Sequence, residues 1–178
     1  MSQLKVNSIV PVGGLPSGAS GGGVIQTVQH VKTDYSSFTV NSQSSYDDTN
    51  FAASITPTST AHKILVTIMV NHAASSDQMV GYALRCNGSN VNDSYGAASG
   101  SKIRATGSYH ASNSSYHHTV HLQFLHSPAS TSAQSYNLRW NHNSSSNRTH
   151  YINGSASGND NYTNFRCAST IVLQEITN

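Results

Sequence analysis

The chain has 178 residues, of which only 9% are charged, and its formal net charge is +2. Typical globular chains carry about 25% charged residues, so this surface is unusually poor in ions. Proteins that bind duplex nucleic acid cluster several Lys and Arg residues on one face, and the sequence has no such cluster. It also has no apolar run of the roughly 20 residues that span a bilayer. We therefore expect neither a nucleic-acid partner nor a membrane partner.

Ser, Asn, Thr and Gly occupy most of the polar positions that Glu and Lys would fill in a helical protein. These residues are poor helix formers and favour turns and strands, because their side chains compete for backbone hydrogen bonds or leave the backbone too free. The composition therefore predicts an all-β protein.

The first 23 residues differ from the rest of the chain. They begin without the long apolar region of a secretory signal peptide, and they contain four apolar side chains before a Gly-rich run: Leu4, Val6, Ile9 and Val10. A Gly-rich run cannot bury enough surface to fold alone. Two interpretations stay open: a tail without fixed structure, or an extended arm that orders against a partner through the apolar side chains. We call residues 1–23 the docking arm and residues 24–178 the β domain.

Short apolar runs separated by turn signals recur along the β domain. They predict strands at residues 24–31, 38–40, 51–55, 62–70, 79–86, 116–125, 135–140, 149–152 and 170–176. The Asn87-Gly88 pair predicts a tight turn after the fifth of these strands. Many short strands without a helical pattern are typical of a β-sandwich, here one resembling a jelly roll.

Residues 62–70 form the most continuous β-branched run, which indicates a central, buried strand. Side chains alternate between the two faces of a strand. We expect Ile64, Val66 and Ile68 to face the domain core, and Leu65, Thr67 and Met69 to face away from it.

Ten histidines are present, and histidine is a common metal ligand. His117 and His121 would share one strand face about 13 Å apart, which is too far for one copy to bind a single metal through both. Polar surface or interface positions therefore explain the histidines better, and we predict neither a metal nor a cofactor. Cys86 and Cys167 are too few for a disulfide framework, and we expect both to be free.

Catalytic signals are weak. A glycosidase needs paired carboxylates, and the adjacent Asp47 and Asp48 are better explained as part of a loop. No nucleophile motif and no zinc-spaced Cys/His motif is present. We predict that the protein is not an enzyme.

Tyrosine is the main aromatic residue, with nine copies against one tryptophan. Tyr combined with Ser, Gly and Asn is a composition that adaptable binding surfaces use. The predicted loops 92–110 and 144–164 hold four tyrosines, which we treat as candidates for receptor contact: Tyr95, Tyr109, Tyr151 and Tyr162. The alternative is that these side chains fill strand and core-edge positions, which Tyr also favours.

Four stretches together resemble virion proteins of marine and cyanobacterial tailed bacteriophages, which are usually described as tail fibres or tail-associated structural proteins. They lie at residues 4–9 (LKVNSI), 22–28 (GGVIQTV), 53–66 (ASITPTSTAHKILV) and 168–176 (ASTIVLQEI). No stretch is a catalytic motif, and the likeness lies in their order and spacing over most of the chain. The resemblance implies an amino-terminal arm that docks on the particle and a compact, trimeric β domain.

The expected function follows from this resemblance. We expect a virion structural protein of the phage tail, assembled in the host cytoplasm, with other virion proteins as partners and host cell-surface glycans as candidate ligands. Two alternatives stay open. One is a decoration protein that stabilises the capsid, and the other is a carbohydrate-binding module.

Overall fold

A computed structural model describes residues 23–41, 45–75, 78–112, 114–156 and 165–177. The described part contains eleven β-strands and one short 3-10 helix, Asn92–Ser94. The strands are β1 (Val24–Lys32), β2 (Ser36–Val40), β3 (Ser45–Ile55), β4 (Lys63–Ala74), β5 (Gln78–Cys86), β6 (Ser89–Asn90), β7 (Gly107–Ala111), β8 (His118–His126), β9 (Gln134–His142), β10 (Arg148–Ile152) and β11 (Ser169–Ile176). In this part of the chain no helix is long and apolar enough to cross a membrane.

The strands form two antiparallel sheets that pack face to face. In the first sheet, β1, β11, β4 and β8 lie side by side, and β10 and β2 extend it beyond the end of β11. In the second sheet, β3, β9, β5 and β7 lie side by side, with the short β6 also on β5. Most successive long strands alternate between the sheets, which is the arrangement of a jelly roll. The predicted all-β, jelly-roll-like sandwich is confirmed.

Nine of the strands correspond to predicted runs, and β6 and β7 were missed. The β7 sequence (GSYHA) offers little apolar signal, and it is a strand because it pairs with β5 from Gln78 to Tyr82. The loop prediction for Asp47 and Asp48 is wrong, because both lie inside β3. The four apolar residues of the docking arm (Leu4, Val6, Ile9 and Val10) and Tyr162 lie outside the described residues.

Strand β4 is the centre of the first sheet, since it pairs with β8 along one edge and with β11 and β10 along the other. The side chains of Ile64, Val66 and Ile68 are at most 1% exposed, which confirms their predicted place in the core. The alternate side chains, beginning with Leu65, are only half-buried on the outer face of the sheet.

Large aromatic side chains from the second sheet fill much of the space between the sheets. Trp140, Tyr82, Tyr136 and Phe51 are fully buried there. Their bulk explains why few, large apolar residues suffice for a core in a chain that is so polar overall.

The predicted Asn87-Gly88 turn is confirmed and connects β5 to β6. Both residues have positive φ angles, 49° and 74°, as a two-residue hairpin turn with the right-handed twist of its strands requires. The side-chain oxygen of Asn87 also accepts a hydrogen bond from the Ser135 amide at 2.8 Å, which ties the turn to β9. Cys86 and Cys167 are both free, as predicted.

Truncating the buried side chain of Ile64 to alanine should lower the free energy of unfolding by about 2–5 kcal/mol, because it leaves a cavity between the sheets. Ile103→Ala is the matched control, since the Ile103 side chain is 59% exposed and should lose little stability on truncation. Urea unfolding followed by circular dichroism measures both. A loss below about 0.5 kcal/mol for Ile64→Ala would contradict the central position of β4.

Candidate functional surfaces

The outer face of the first sheet carries three rows of side chains that run across four strands. Cross-strand pairing places Thr27, Gln174, Leu65 and Leu125 in one row, Gln29, Val172, Thr67 and Gln123 in the next, and Val31, Thr170, Met69 and His121 in the third. We call these twelve residues the uncharged face. None of them is Lys, Arg, Asp or Glu, and Val31 and Leu125 are each more than 40% exposed.

The polar side chains of the uncharged face supply hydrogen-bonding groups without full charges. In the middle row, Gln123 Nε2 donates to Thr67 Oγ1 over 3.2 Å. Such groups can be buried at modest cost when they find partners, whereas a buried unpaired ion is very costly. This face is therefore chemically suited to being covered by another uncharged protein surface.

The chain enters the described domain at the β1–β11 edge of this same sheet. Gly23 N donates to Thr177 Oγ1 over 2.8 Å, and Thr177 N donates to Gly23 O over 3.1 Å. These two bonds hold the last residue of the docking arm against the carboxyl-terminal strand. The last residue of the arm therefore lies at the edge of the sheet that carries the uncharged face.

A buried carboxylate stabilises the same end of the domain. Glu175 is 0% exposed, and its oxygens accept from Gln26 Nε2, from the Thr58 amide at 2.6 Å and from Thr58 Oγ1 at 2.7 Å. His62 Nδ1 lies 2.7 Å from the same carboxylate. Burial alone would raise the pKa of Glu175, but these hydrogen bonds outweigh it and lower the pKa from 4.5 to about 2. The ionised Glu175 thus connects β1, the β3–β4 loop and β11.

The second sheet has a different outer surface, because the segment between β6 and β7 folds back over it. Tyr95 Oη donates to the Leu84 carbonyl over 2.9 Å, and the Thr106 amide donates to the Tyr82 carbonyl over 2.7 Å. Within the segment, Gly96 N donates to the Ala105 carbonyl over 3.1 Å. The loop is therefore held at both ends and across its middle.

A cluster of basic side chains lies on this surface. Arg139 donates two hydrogen bonds to the Asp47 carboxylate, at 2.9 and 2.8 Å, and Arg85 approaches the same carboxylate at 3.6 Å. These bonds to Arg139 hold the pKa of Asp47 below its usual value, although partial burial opposes the shift. Arg104 lies over the Tyr95 ring at 5.9 Å from its centroid. The Asp47 carboxylate thus faces the guanidinium groups of Arg139 and Arg85, and the guanidinium group of Arg104 lies on the same surface.

A pocket of about 440 Å³ lies between this loop and strands β5 and β9. Its apolar lining includes Met79, Gly81, Ile103 and Ala105, which we call its floor, and its polar lining includes Lys102, Arg104, Asn141 and Asn143, which we call its rim. Volumes of roughly 300–1,000 Å³ are usual for small-molecule sites. We call it the rim pocket.

The three candidate tyrosines that the structure describes lie on separate parts of the domain. Tyr95 is half-buried in the loop beside the rim pocket. Tyr151 lies on β10 of the other sheet, where its ring stacks on Tyr35 at 6.4 Å. Tyr109 lies in β7, not in a loop, and its ring packs inward against Tyr82 and His72. Tyr109 is therefore unsuited to surface contact, whereas Tyr95 directly precedes Gly96, which lines the rim pocket.

Sequence reasoning missed the rim pocket, although it predicted the loop that covers it. Arg85 and Arg139 are 54 positions apart in the sequence and meet only because β5 pairs with β9. The single sequence signal was the concentration of Lys102 and Arg104 in a chain that has few charges.

A group of histidines is buried between the sheets. His72 Nδ1 lies 2.7 Å from Tyr82 Oη, and His72 Nε2 lies 3.0 Å from His150 Nδ1. Burial lowers the pKa of His72 well below 6.5 and that of His150 to about 3, and each value is lowered further by a neighbouring histidine. Both rings are therefore neutral in the folded protein at ordinary pH and act as polar parts of the core, so the predicted surface or interface position is wrong for His72 and His150.

The acidic pair does not form a catalytic arrangement. Asp47 points to the outer face of β3, where it binds Arg139, whereas Asp48 is buried on the inner side, where burial raises its pKa. Adjacent residues of a strand face opposite ways, so the two carboxylates cannot act on one substrate. Over the described ranges, no group of three or more His, Cys, Asp or Glu side chains is placed to hold a metal ion.

Comparisons with known proteins give structural neighbours only. No family model and no curated protein sequence matches the chain. The structure of infectious bursal disease virus, Gx strain, matches with a TM-score of 0.42 and 12% identity, over 86% of this chain and 40% of that chain. A mutant VP2 protein of that virus in derived T=1 particles gives a TM-score of 0.41 and 13% identity, over 85% of this chain and 36% of that one. The VP2 subviral particle gives a TM-score of 0.39 and 11% identity, over 86% and 39%.

The chain spans less than half the length of each of these viral chains. Similarity at this level does not transfer a function to this chain.

The buried histidines and Glu175 predict a stepwise loss of stability in acid. The unfolded chain takes up protons at His72 and His150 below about pH 6.5. In the folded protein His150 stays unprotonated until about pH 3, and the pKa of His72 is also well below 6.5. Stability should therefore be constant above pH 6.5 and fall below it by up to about 1.4 kcal/mol per pH unit for each proton. Glu175 keeps its full contribution above about pH 4.5 and loses it as the pH falls towards 2.

Urea unfolding at pH 8, 6.5, 5.5 and 5 measures the first step. His150→Gln should reduce the slope of the free energy of unfolding against pH. The expected reduction is up to about 1.4 kcal/mol per pH unit, which corresponds to one proton. His110→Gln is the control, because His110 is exposed on β7 of the other sheet, away from the uncharged face. A wild-type free energy of unfolding that does not change between pH 7 and pH 5 would contradict the assignment.

Proposed function

We propose that this protein is a non-enzymatic structural component of a bacteriophage virion, a homotrimer that belongs to the tail. In this proposal the uncharged face joins the copies, the docking arm attaches the trimer to another virion protein, and the outer surface of the second sheet points to host surface glycans. The observation that carries the proposal is the uncharged face.

A second copy of the chain is the occupant that best fits the uncharged face. A charged partner would have to bury its ions against a surface that offers no counter-ion, which is unfavourable. Another copy brings the same uncharged polar and apolar groups, and homomeric interfaces are richer in such apolar area than transient ones. Around a threefold axis the face of each copy would meet its neighbours, and the resemblance to phage tail proteins supports the number three.

The position of Gly23 supports attachment through the arm. In a trimer joined by the first sheet, three docking arms would start near the same interface, at the β1–β11 edge. Each of the four apolar side chains could contribute roughly 1.5–3 kcal/mol on burial, before ordering costs are subtracted. Three arms on one trimer would add avidity without new kinds of contact.

A capsid decoration protein is the second candidate, because it would need the same assembly face and the same arm. The sequence resemblance to tail-associated phage proteins favours the tail. Locating the chain in a reconstruction of the particle decides between tail and head.

Placing a charge in the centre of the uncharged face should dissociate the trimer. Thr67→Lys puts an ammonium group in the middle row, where burial in the interface would strand it. The matched control is Ser54→Lys, because Ser54 is exposed on a strand of the other sheet. Light scattering at micromolar concentration should give a trimer mass for the wild type and for Ser54→Lys, and a monomer mass for Thr67→Lys.

Two results would contradict this assignment in different ways. A monomeric wild-type protein would contradict the proposal that the chain forms a trimer. A Thr67→Lys variant that stays trimeric would move the interface to another surface of the domain.

Deleting residues 1–20 should leave a soluble, folded trimer that no longer joins the particle, because the apolar arm is removed and the β domain is untouched. Circular dichroism and light scattering check the fold and the mass, and the protein content of particles assembled with the truncated chain measures incorporation. Incorporation at the normal copy number would assign docking to the β domain instead.

A further inference from the structure

We infer that the rim pocket binds an acidic saccharide, with the carboxylate of the sugar at Lys102 and Arg104 and the carbon face of its ring on the apolar floor. This inference deepens the proposed contact with host glycans and rests on it for the source of the ligand. It names the chemical class that the pocket selects.

The charge of this surface is the first support. The whole chain has only nine Lys and Arg residues, and four of them lie on the outer surface of the second sheet: Arg85, Lys102, Arg104 and Arg139. Asp47 offsets part of this charge through its ion pair with Arg139. None of the residues that line the pocket in the described structure is acidic. The local field therefore favours an anion.

The positions of the rim cations are the second support. Lys102 and Arg104 are both exposed at the mouth of the pocket. Arg104 Nε donates to the Gly96 carbonyl over 2.6 Å, which fixes the guanidinium group in place beside the cavity. Arg104 Nη2 also donates to the Asn92 carbonyl over 3.4 Å, so Nη1 is the nitrogen that remains for a charge-assisted hydrogen bond to a ligand carboxylate. The ammonium group of Lys102 adds positive charge but does not fix the orientation of the carboxylate.

The floor explains why the anion should be part of a sugar. Met79 and Ile103 are 42% and 59% exposed, so both offer aliphatic surface to a ligand. Gly81 has no side chain, and an added Cβ would lie 3.4 Å from Ala105 Cβ, so the loop packs closely against the sheet at this point. Sugar rings present C–H groups on one face and hydroxyl groups at their edges. Asn141 and Ser108 provide an amide and a hydroxyl group for such edges, and Asn143 offers its Nδ2, because its Oδ1 accepts from the Met79 amide over 3.0 Å.

The pocket is preformed, which lowers the cost of binding. Tyr95 anchors the loop through Leu84, and Thr106 Oγ1 accepts from the Leu84 amide over 3.0 Å. Ser94 Oγ lies 3.0 Å from Thr106 Oγ1 and also donates to the Val91 carbonyl. Tyr95 is thus a positioning residue for the pocket, consistent with its half-buried ring.

Titration of the purified full-length protein with two trisaccharides tests the inference. One is a trimer of galacturonic acid, and the other is the neutral trimer of galactose. We expect the acidic sugar to bind at least about tenfold more tightly at low salt, a difference of about 1.4 kcal/mol. The preference should shrink as salt is added, because exposed charges are screened.

Three variants locate the site. Lys102→Met should weaken binding of the acidic sugar by about fivefold or more, and Lys63→Met, on the other sheet, should leave it unchanged. Ile103→Ala should weaken binding of both sugars, because it removes part of the floor. Calorimetry or amide chemical shifts report the affinities, and circular dichroism confirms that each variant is folded.

Several results would overturn the inference. These are equal affinity for the acidic and neutral sugars, unchanged affinity in Lys102→Met, or full displacement of the sugar by inorganic phosphate at equal concentration. The last result would make the pocket a simple anion site. Because the pocket and the uncharged face lie on opposite sheets, a monomeric Thr67→Lys variant should still bind the sugar. Failure of the ligand assignment is therefore separable from failure of the assembly proposal.

Discussion

The pairing of strand β4 on both of its edges is the constraint on which the rest of the structure depends. It fixes β8 on one side and β11 and β10 on the other, so the register of four neighbouring strands follows from it. Alternation along β4 then sends Ile64, Val66 and Ile68 into the core and their neighbours outwards. The same strand therefore defines both the buried centre of the sandwich and the middle of the uncharged face.

The outer surfaces of the two sheets differ in charge. The first sheet exposes no Lys, Arg, Asp or Glu side chain in its three central rows. The last residue of the docking arm lies at the edge of this sheet. The second sheet carries four of the nine basic residues of the chain on this side, and two of them, Lys102 and Arg104, line a pocket. An assembled particle needs one surface that can be buried between copies and another that faces outwards. This division is the physical reason to connect assembly with the first sheet and ligand contact with the second.

The sequence allowed prediction of features that depend on local pattern. The β4 run, the Asn87-Gly88 turn and the sandwich class all rest on alternation or turn chemistry within a few residues. β7 was missed because Gly107 and Ser108 carry no strand signal, and its pairing with β5 supplies what local preference lacks. Tyr109 was misplaced for the same reason. The rim pocket and the uncharged face could not be predicted, because both depend on which strands become neighbours. Arg85 meets Arg139, and Thr67 meets Val172, only after the jelly roll has formed.

A reconstruction of the assembled particle tests the central claim most directly, because it shows what covers the uncharged face. The account predicts three copies of this chain around one axis, with Thr67, Val172 and Gln123 of each copy buried against its neighbours. A reconstruction in which these side chains face solvent, or contact a different protein while the copies meet elsewhere, would contradict it.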